Sequence, residues 1–220
     1  MILRIRAPNP SPLTLSGTNT YVVDGWVIDP GPEIGSHLDA VAAAVGSPQG
    51  IVLTHDHADH SEAAPALAER LGVSVVPVAD GDRVGPFDVI ALPGHADDHV
   101  VYVAGRDAFT GDAVLGEGSV FVSGRLREYL DGLRRLRALE LDVIHPGHGD
   151  EVTDPNAKLD EYLAHRSDRE RKLVAALAAG AQTEDELLDA AWADAPAAVR
   201  PFAAITLRAH LEKLRAEGRY

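Results

Sequence analysis

The chain has no cysteine, few aromatic residues and no long apolar run. Without cysteine there is no disulfide scaffold, no thiolate zinc site and no cysteine nucleophile. Only 5% of the 220 residues are aromatic, so the sequence offers no evident platform for stacking nucleic-acid bases. No apolar stretch approaches the ~20 residues of a membrane span, and residues 1–8 hold no signal-peptide core. We therefore expect a cytoplasmic protein without a membrane partner.

Positive charge is also scarce over most of the chain. The net charge is −14, and because residues 169–220 carry equal numbers of basic and acidic residues, all of it falls on residues 1–168. An acidic body attracts nucleic acid poorly, although bound metal ions would neutralise part of this charge.

Histidine and aspartate are concentrated in one short segment, Thr54–His60, which follows the apolar run Gly50–Leu53. The segment holds His55, His57, Asp59 and His60 within six residues. Imidazole and carboxylate groups this close together are unfavourable unless a cation lies between them, and they are the N and O ligands that zinc and similar ions accept. The segment therefore predicts a divalent metal site at the end of a buried strand.

Three further polar residues follow a glycine close to the end of a predicted strand: His95, Asp112 and His148. A glycine there lets the chain turn tightly and bring the next side chain to a common edge. Two other histidines near these positions, His99 and His145, match no ligand position and are left out of the predicted site. Asp29 is either a partner of a ligand histidine or simply the first residue of an Asp-Pro-Gly turn.

The alternation of strands and helices over the first 150 residues predicts sheets covered by helices. Strands are predicted at 20–24, 26–29, 50–54, 73–76, 87–92, 100–103, 108–110 and 142–145, and helices at 36–45, 61–71 (capped by Ser61) and 125–139. From residue 155 the pattern is helical, with a capping box at Thr183–Glu186 and a last helix over 199–217. We predict a catalytic domain over 1–168 and a helical unit over 169–220. His37, His165 and His210 lie in helical patterns and are predicted to be surface residues.

The pattern His-x-His-x-Asp-His at 55–60, followed by Gly-His, Gly-Asp and Gly-His, resembles the metallo-β-lactamase superfamily. This resemblance implies an αββα sandwich with a two-metal site at the edge of two sheets. It also implies that a metal-bound hydroxide attacks the substrate, with Asp59 orienting it. The resemblance implies that the first ion is bound by His55, His57 and His95, and the second by Asp59, His60 and His148. Asp112 would bridge the two ions, and with Asp59 it is one of the two implied catalytic residues. Zinc is the expected metal, with iron and manganese as alternatives.

Four longer segments resemble the β-lactamase-like-protein-2 family: Asn9–Tyr21, Pro93–His99, Thr110–Gly118 and the tail from His165. This resemblance implies a C-terminal winged-helix-like unit and an endoribonuclease activity on single-stranded RNA, whereas related fungal proteins are thioesterases that release polyketides from a carrier protein. The absence of cysteine argues against an antibiotic-destroying β-lactamase.

The sequence leaves three functions open. The first is the endoribonuclease, for which a basic helix is one indication: Arg125, Arg127, Arg134, Arg135 and Arg137. The better explanation of these arginines is a solvated helix face with acidic partners four residues away, such as Asp131 with Arg135. The second function is a thioester or ester hydrolase that resembles glyoxalase II or a carrier-protein thioesterase. The third is a nucleic-acid-binding adaptor whose metal domain is only structural.

Overall fold

Two β-sheets packed face to face form the centre of the molecule, as seen in the computed structural model, which describes residues 1–220. The first sheet has the order β1-β2-β3-β4 and the second the order β5-β6-β7-β8-β9. Neighbouring strands are antiparallel except β3 with β4 and β8 with β9, which are parallel. The strands are β1 (Ile2–Arg6), β2 (Asn19–Val23), β3 (Trp26–Ile28), β4 (Gly50–Val52), β5 (Arg83–Val84), β6 (Phe87–Ala91), β7 (Val100–Ala104), β8 (Asp107–Gly111) and β9 (Val143–Pro146).

The layer between the sheets is filled by alternate residues of their strands, because successive side chains of a strand point to opposite faces. Tyr21 and Val23 of β2 point into this layer, whereas Val22 packs on the outer face. The Tyr21 ring meets Phe109 edge to face, with centroids 5.2 Å apart. Phe109 contacts Phe87 in the same way at 6.0 Å, so strands of both sheets share one aromatic core.

Helices cover both outer faces, which confirms the predicted αββα sandwich. On the first sheet lie α1 (Gly35–Ala44) and α3 (Ala64–Leu71), whose buried residues include Val41 and Leu67. On the second sheet lie α4 (Leu126–Arg137) and the beginning of α5 (Pro155–Ala178). The amphipathic pattern of α4 places Tyr129, Leu133 and Leu136 in the core, fully buried.

A second, smaller core lies among the C-terminal helices: the end of α5, α6 (Glu184–Ala191) and α7 (Arg200–Ala216), which follows a 3-10 turn at Ala197–Val199. The predicted capping box begins α6, since Thr183 accepts from the backbone N–H of Glu186 and Glu186 accepts from that of Thr183. Helix α5 continues without a break through residue 168, so one rigid element belongs to both predicted domains. The boundary at 168 stays a prediction. No helix in the structure has the length and apolarity needed to cross a membrane.

Several local predictions differ from the structure. Residues 73–76 form only a single bridge, Ile51 with Val75, instead of a strand, and strand β1 was not predicted. Ser61 does not cap a helix; it ends the short helix α2 (Ala58–Ser61), and its hydroxyl donates to the carbonyl of His57. The glycine at 72, in the left-handed conformation, ends α3 as its sequence position suggests.

The prediction that three histidines lie on the surface is wrong for two of them. His37 and His210 are 2% and 0% exposed, and His165 is half-buried. The His37 ring lies 2.9 Å from the Thr20 hydroxyl, and the His210 ring packs against Trp192. A helical pattern does not show which polar side chain faces a neighbouring element, because that depends on tertiary packing.

Candidate metal centre

The seven predicted ligand residues meet at one edge of the sandwich. His55 and His57 follow β4, Asp59 and His60 lie on α2, and the remaining three come from the segments after β6, β8 and β9, namely His95, Asp112 and His148. The first four therefore come from one sheet and its following loop, and the last three from the other sheet. The groups are far apart in the sequence and are brought together only by the packing of the sheets.

The first cluster contains three imidazoles. His57 Nδ1 lies 3.0 Å from His55 Nε2 and 3.0 Å from His95 Nε2. One ring N–H cannot satisfy two neighbouring nitrogens, so hydrogen bonding alone does not account for this convergence. Nitrogen ligands in a tetrahedral zinc site with Zn–N distances of about 2.0–2.1 Å lie about 3.3 Å apart, close to this spacing.

The second cluster consists of Asp59, His60 and His148. His148 Nε2 lies 3.2 Å from Asp59 Oδ2 and 3.3 Å from His60 Nε2. His60 Nε2 is 3.6 Å from the same Asp59 oxygen, so one oxygen and two nitrogens face a common point. His60 is fully buried and Asp59 is about one-third exposed, which leaves this cluster open on the Asp59 side.

Asp112 lies between the two clusters. Its Oδ2 is 3.6 Å from His95 Nε2 and 3.3 Å from His148 Nε2, and its Oδ1 is 3.4 Å from His60 Nε2. Oδ1 is buried and has no hydrogen-bond donor within the protein. A buried carboxylate oxygen without a donor is unfavourable, and a cation would satisfy it.

Asp29 supports the second cluster from beneath. Its carboxylate accepts a hydrogen bond from the backbone N–H of Thr54 at 2.7 Å, one from the Thr54 hydroxyl at 2.7 Å and one from His60 Nδ1 at 2.9 Å. The last contact fixes the His60 ring with Nε2 facing the cluster. Of the two interpretations of Asp29 in the sequence, the structure supports the partner of a ligand histidine.

His99 is not among the predicted ligands, yet it packs directly against them. Its ring stacks on His55 with centroids 4.9 Å apart and planes inclined by 25°. Its Nε2 accepts the backbone N–H of Asp112 at 3.2 Å. His99 therefore fixes the backbone of one predicted ligand and the ring of another. The sequence offered one signal, its position four residues after His95, but that spacing alone does not distinguish a supporting histidine from an unrelated one.

His145 was left out as well, and the structure places it outside the cluster. It stacks on Phe109, and its Nε2 lies 2.7 Å from Oδ1 of Asp107, the first residue of β8.

The chain approaches the site so closely at Gly147 that no side chain fits there. A Cβ at this position would lie 2.6 Å from Asp112 Oδ1 and 2.6 Å from His60 Cε1. Position 147 requires glycine because a side chain would clash with these atoms. The backbone conformation does not impose it, because the residue is not in the left-handed region. The Gly-His pattern in the sequence therefore reflects packing around the two clusters.

The histidines of the two clusters differ in their pKa, because their surroundings differ in charge. Burial and the neighbouring histidines lower the pKa of His55 far below its usual value, and burial lowers the pKa of His95 to about 4. Both are neutral imidazoles, the form that binds a metal. Burial disfavours a proton on His148, but the hydrogen bonds to Asp112 and Asp59 raise its pKa to about 9. Without a metal, His148 is positively charged and balances part of the carboxylate charge.

The donor set fits two divalent ions. Two groups of three ligand atoms, each within 4.8 Å of one another, coincide with the predicted first and second sites, and a third group joins His55, His60 and Asp112 across them. Neutral imidazoles, two carboxylates and the unpartnered Asp112 oxygen are suitable for zinc, iron or manganese.

A cavity of about 440 Å³ opens above the clusters. Its wall is mainly apolar and comes from the loop before β2, the loop after β8 and the beginning of α7: Leu13, Leu15, Leu115, Val120, Phe121 and Phe202. Apart from the clusters, Glu117 is the charged residue that lines it, and no lysine or arginine does.

The chain is similar to known proteins, both in its domain families and in its overall sequence. Residues 13–88 and 78–148 match the metallo-beta-lactamase superfamily, and residues 183–219 match the beta-lactamase associated winged helix domain. The chain belongs to the metallo-beta-lactamase superfamily. Its members are metal-dependent hydrolases, so this protein is a metal-dependent hydrolase. It also carries a C-terminal winged-helix domain.

Two relatives extend this similarity over nearly the whole chain. The beta-lactamase-like protein 2 homolog of Caenorhabditis elegans is 31% identical, over 99% of this chain and 85% of the relative. The predicted resemblance to that family is thereby confirmed. An atrochrysone carboxyl ACP thioesterase of Aspergillus fumigatus is 27% identical, over 90% of this chain and 75% of the relative.

Solved structures show the same architecture. A metallo-beta-lactamase family protein from Thermus thermophilus has a TM-score of 0.78 and 24% identity; the alignment covers 99% of the present chain and 94% of the Thermus chain. A beta-lactamase domain protein from Burkholderia ambifaria has a TM-score of 0.84 and 19% identity; the alignment covers 99% of the present chain and 86% of the Burkholderia chain.

Proposed function

We propose that this protein is a two-metal hydrolase of small acyl thioesters or esters. The observation that carries the proposal is the cavity over the metal centre, which is apolar, has Glu117 at its wall and contains no lysine or arginine. An apolar wall suits an acyl chain, whereas a phosphodiester backbone would meet no cation apart from the metals. The similarity to a protein named as an acyl-carrier-protein thioesterase agrees with this substrate class.

Each residue of the site has a role in the proposed reaction. His55, His57 and His95 would hold one ion, Asp59, His60 and His148 the other, and Asp112 both. When bound, the ions would supply Lewis acidity, which would polarise the substrate's carbonyl oxygen and lower the pKa of a water molecule. Asp59, the most exposed of the carboxylates, orients the attacking water through its second oxygen. Asp29 and His99 keep His60, His55 and Asp112 in place.

The leaving thiolate or alkoxide must receive a proton, since it departs with the electron pair of the broken bond. His148 faces the open side of the second cluster together with Asp59. As a ligand, however, it would carry no proton on Nε2. The Asp59 carboxylate would instead accept a proton from the attacking water and pass it to the leaving group. This role is in accord with the prediction of Asp59 as a catalytic residue.

An endoribonuclease activity stays a prediction, and the charges give it little support. Each of the five arginines of the basic helix faces an acidic residue, as the alternative interpretation expected, although Asp131 pairs with Arg134 instead of Arg135. Arg135 instead pairs with Asp80 at 3.0 Å. In the C-terminal unit Arg208 pairs with Glu184 and Lys213 with Glu170. Cations held in this way offer few free charges to a phosphate backbone. The adaptor hypothesis would leave the complete set of predicted metal ligands without a catalytic function.

The experiment is a substrate panel with metal analysis on one preparation. The protein, loaded separately with zinc, iron and manganese, is tested on acyl thioesters, on the matching oxygen esters and on unstructured RNA. We expect two ions per chain, turnover of at least one acyl thioester or ester, and loss of turnover in His55→Ala. Cleavage of RNA that His55→Ala abolishes, without ester or thioester turnover, would contradict the proposal and support the ribonuclease. RNA binding that is unaffected by metal removal, with no turnover at all, would support the adaptor.

A further inference from the structure

A second cavity of about 500 Å³ lies beside the first, between the sandwich and the C-terminal helices. The segment Gly118–Phe121 lines both cavities, as do Val199 and Phe202. The Phe121 ring stacks on Phe202 with centroids 5.4 Å apart, and its centroid also lies 4.6 Å from that of the His95 ring. The two cavities are therefore neighbours with an aromatic common wall, and one of them ends at the predicted metal ligands.

The second cavity contains a buried cation without an anionic partner. Arg166 of α5 is 2% exposed and lies within 4.0 Å of no carboxylate. Its Nη2 donates to the Ser119 hydroxyl and to the Val120 carbonyl oxygen, and the guanidinium faces the Tyr129 ring at 5.8 Å. Its Nε is buried and has no hydrogen-bond partner. Burying a charge that is not paired is unfavourable, so the fold keeps this arginine at a cost to stability.

The other charged groups around this cavity are already paired. Arg169 pairs with Asp194, and Glu161 pairs with Lys158 at 2.7 Å. His165 accepts from Arg169 Nε through its Nε2, so its proton is on Nδ1, which is buried and donates to nothing. Burial and the two arginines lower the pKa of His165 to about 4, which keeps it neutral at pH 7. The cavity therefore has one uncompensated positive charge and one further free donor.

We infer that this cavity, named here the Arg166 chamber, binds the anionic end of the substrate while the acyl group lies at the metal centre. The anion is a carboxylate or a phosphate monoester, since a guanidinium with a free Nε–H and a neighbouring N–H donor suits either oxyanion. Phe121, Phe202 and Trp192 would contact the apolar part of the molecule between its two ends. The inference rests on the proposed function, because it specifies the small acyl thioester or ester as one with a terminal anion.

Binding is tested first, on the metal-loaded protein and without turnover. The probe is inorganic sulfate, and the readout is the fluorescence of Trp192, which lines the Arg166 chamber; the change must disappear in Trp192→Phe. We expect saturable binding in the wild type and in Arg171→Gln, a control on the exposed face of the same helix, and at least a tenfold weaker affinity in Arg166→Gln. Ala195→Phe, which fills the chamber without removing the charge, is expected to prevent binding, and it replaces Arg166→Gln if that variant does not fold. Equal sulfate binding in these variants and in the wild type, or no binding in the wild type, would overturn the inference.

Substrate preference is tested next, with three acyl thioesters that differ only at the far end: a carboxylate, a phosphate monoester or a neutral amide. We expect the wild type to favour at least one anionic substrate by about tenfold in kcat/KM, through a lower KM. The ratio between the anionic and the neutral substrate falls towards one in Arg166→Gln and is retained in Arg171→Gln. No preference in the wild type would overturn the inference. If none of the thioesters or esters is hydrolysed, the proposed function fails, whereas the sulfate experiment still decides whether the chamber binds an oxyanion.

Discussion

Single residues that bind no metal hold the predicted ligands in position, and His99 is the clearest of them. It supports His55 by stacking and the Asp112 backbone by a hydrogen bond. Partners that orient metal ligands contribute about 10–100-fold to metal affinity. We therefore expect His99→Ala to bind metal about 10–100-fold more weakly, measured by competition with a coloured chelator.

The control for this prediction is His145→Ala. His145 is also a buried histidine, but it contacts Phe109 and Asp107 rather than the ligands. This variant should lose stability and keep its metal affinity. Equal metal affinity in His99→Ala and the wild type would show that His99 only fills space.

At the scale of elements, α5 joins the sandwich to the C-terminal helices, and Glu170 is one of its connections. Lys213 and Arg219 bind this carboxylate, and His210 Nδ1 is 3.9 Å from it. The contacts with His210, Lys213 and Arg219 lower the pKa of Glu170 below its usual value, against the effect of burial. A lowered folded-state pKa adds stability above the unfolded-state pKa, near 4.5, and this stability is lost as the pH falls through the folded-state value.

We expect Glu170→Gln to lower the free energy of unfolding by roughly 1–2 kcal/mol at pH 7. The deficit relative to the wild type should shrink below pH 4.5, because the carboxylate then becomes protonated in the unfolded wild type while it stays ionised in the folded protein. Urea unfolding from pH 7 to pH 3 measures this deficit, and the control is Glu212→Gln, an exposed glutamate on α7 next to Lys213 that forms no ion pair. A deficit that is the same at both pH values would contradict the electrostatic role of Glu170.

At the scale of the whole molecule, the metal centre connects the two sheets. Four of its predicted ligand residues follow β4 of the first sheet, and three lie after strands of the second. Ions bound there link the two halves of the sandwich in the folded state only. Metal at about 100 times its dissociation constant stabilises a protein by about 2.7 kcal/mol.

Chelation should therefore lower the melting temperature by about 5–10 °C, followed by circular dichroism with and without a chelator. The same chelator should have a smaller effect on His55→Ala, which lacks one predicted ligand. An unchanged melting temperature in the wild type would mean that the ions do not connect the sheets.

The sequence by itself determined the parts of the protein that depend on short segments. The spacing from His55 to His60 and the glycine before each later polar residue predicted a metal site, and the alternation of strands and helices predicted sheets covered by helices. The αββα sandwich and the two-metal ligand set were implied by the resemblance to the metallo-β-lactamase superfamily. Such patterns act locally, because a turn or a strand is decided by residues close together in the chain.

Only the tertiary structure decided which side chains support the site and what lies around it. The stacking of His99, the choice of Asp29 as a partner of His60 and the burial of His37 and His210 all join residues distant in sequence. The same holds for the acidic partner of each arginine on α4, and for Arg166, which has none. The physical reason is that burial and charge pairing depend on what packs against a side chain, and a local pattern does not contain that neighbour.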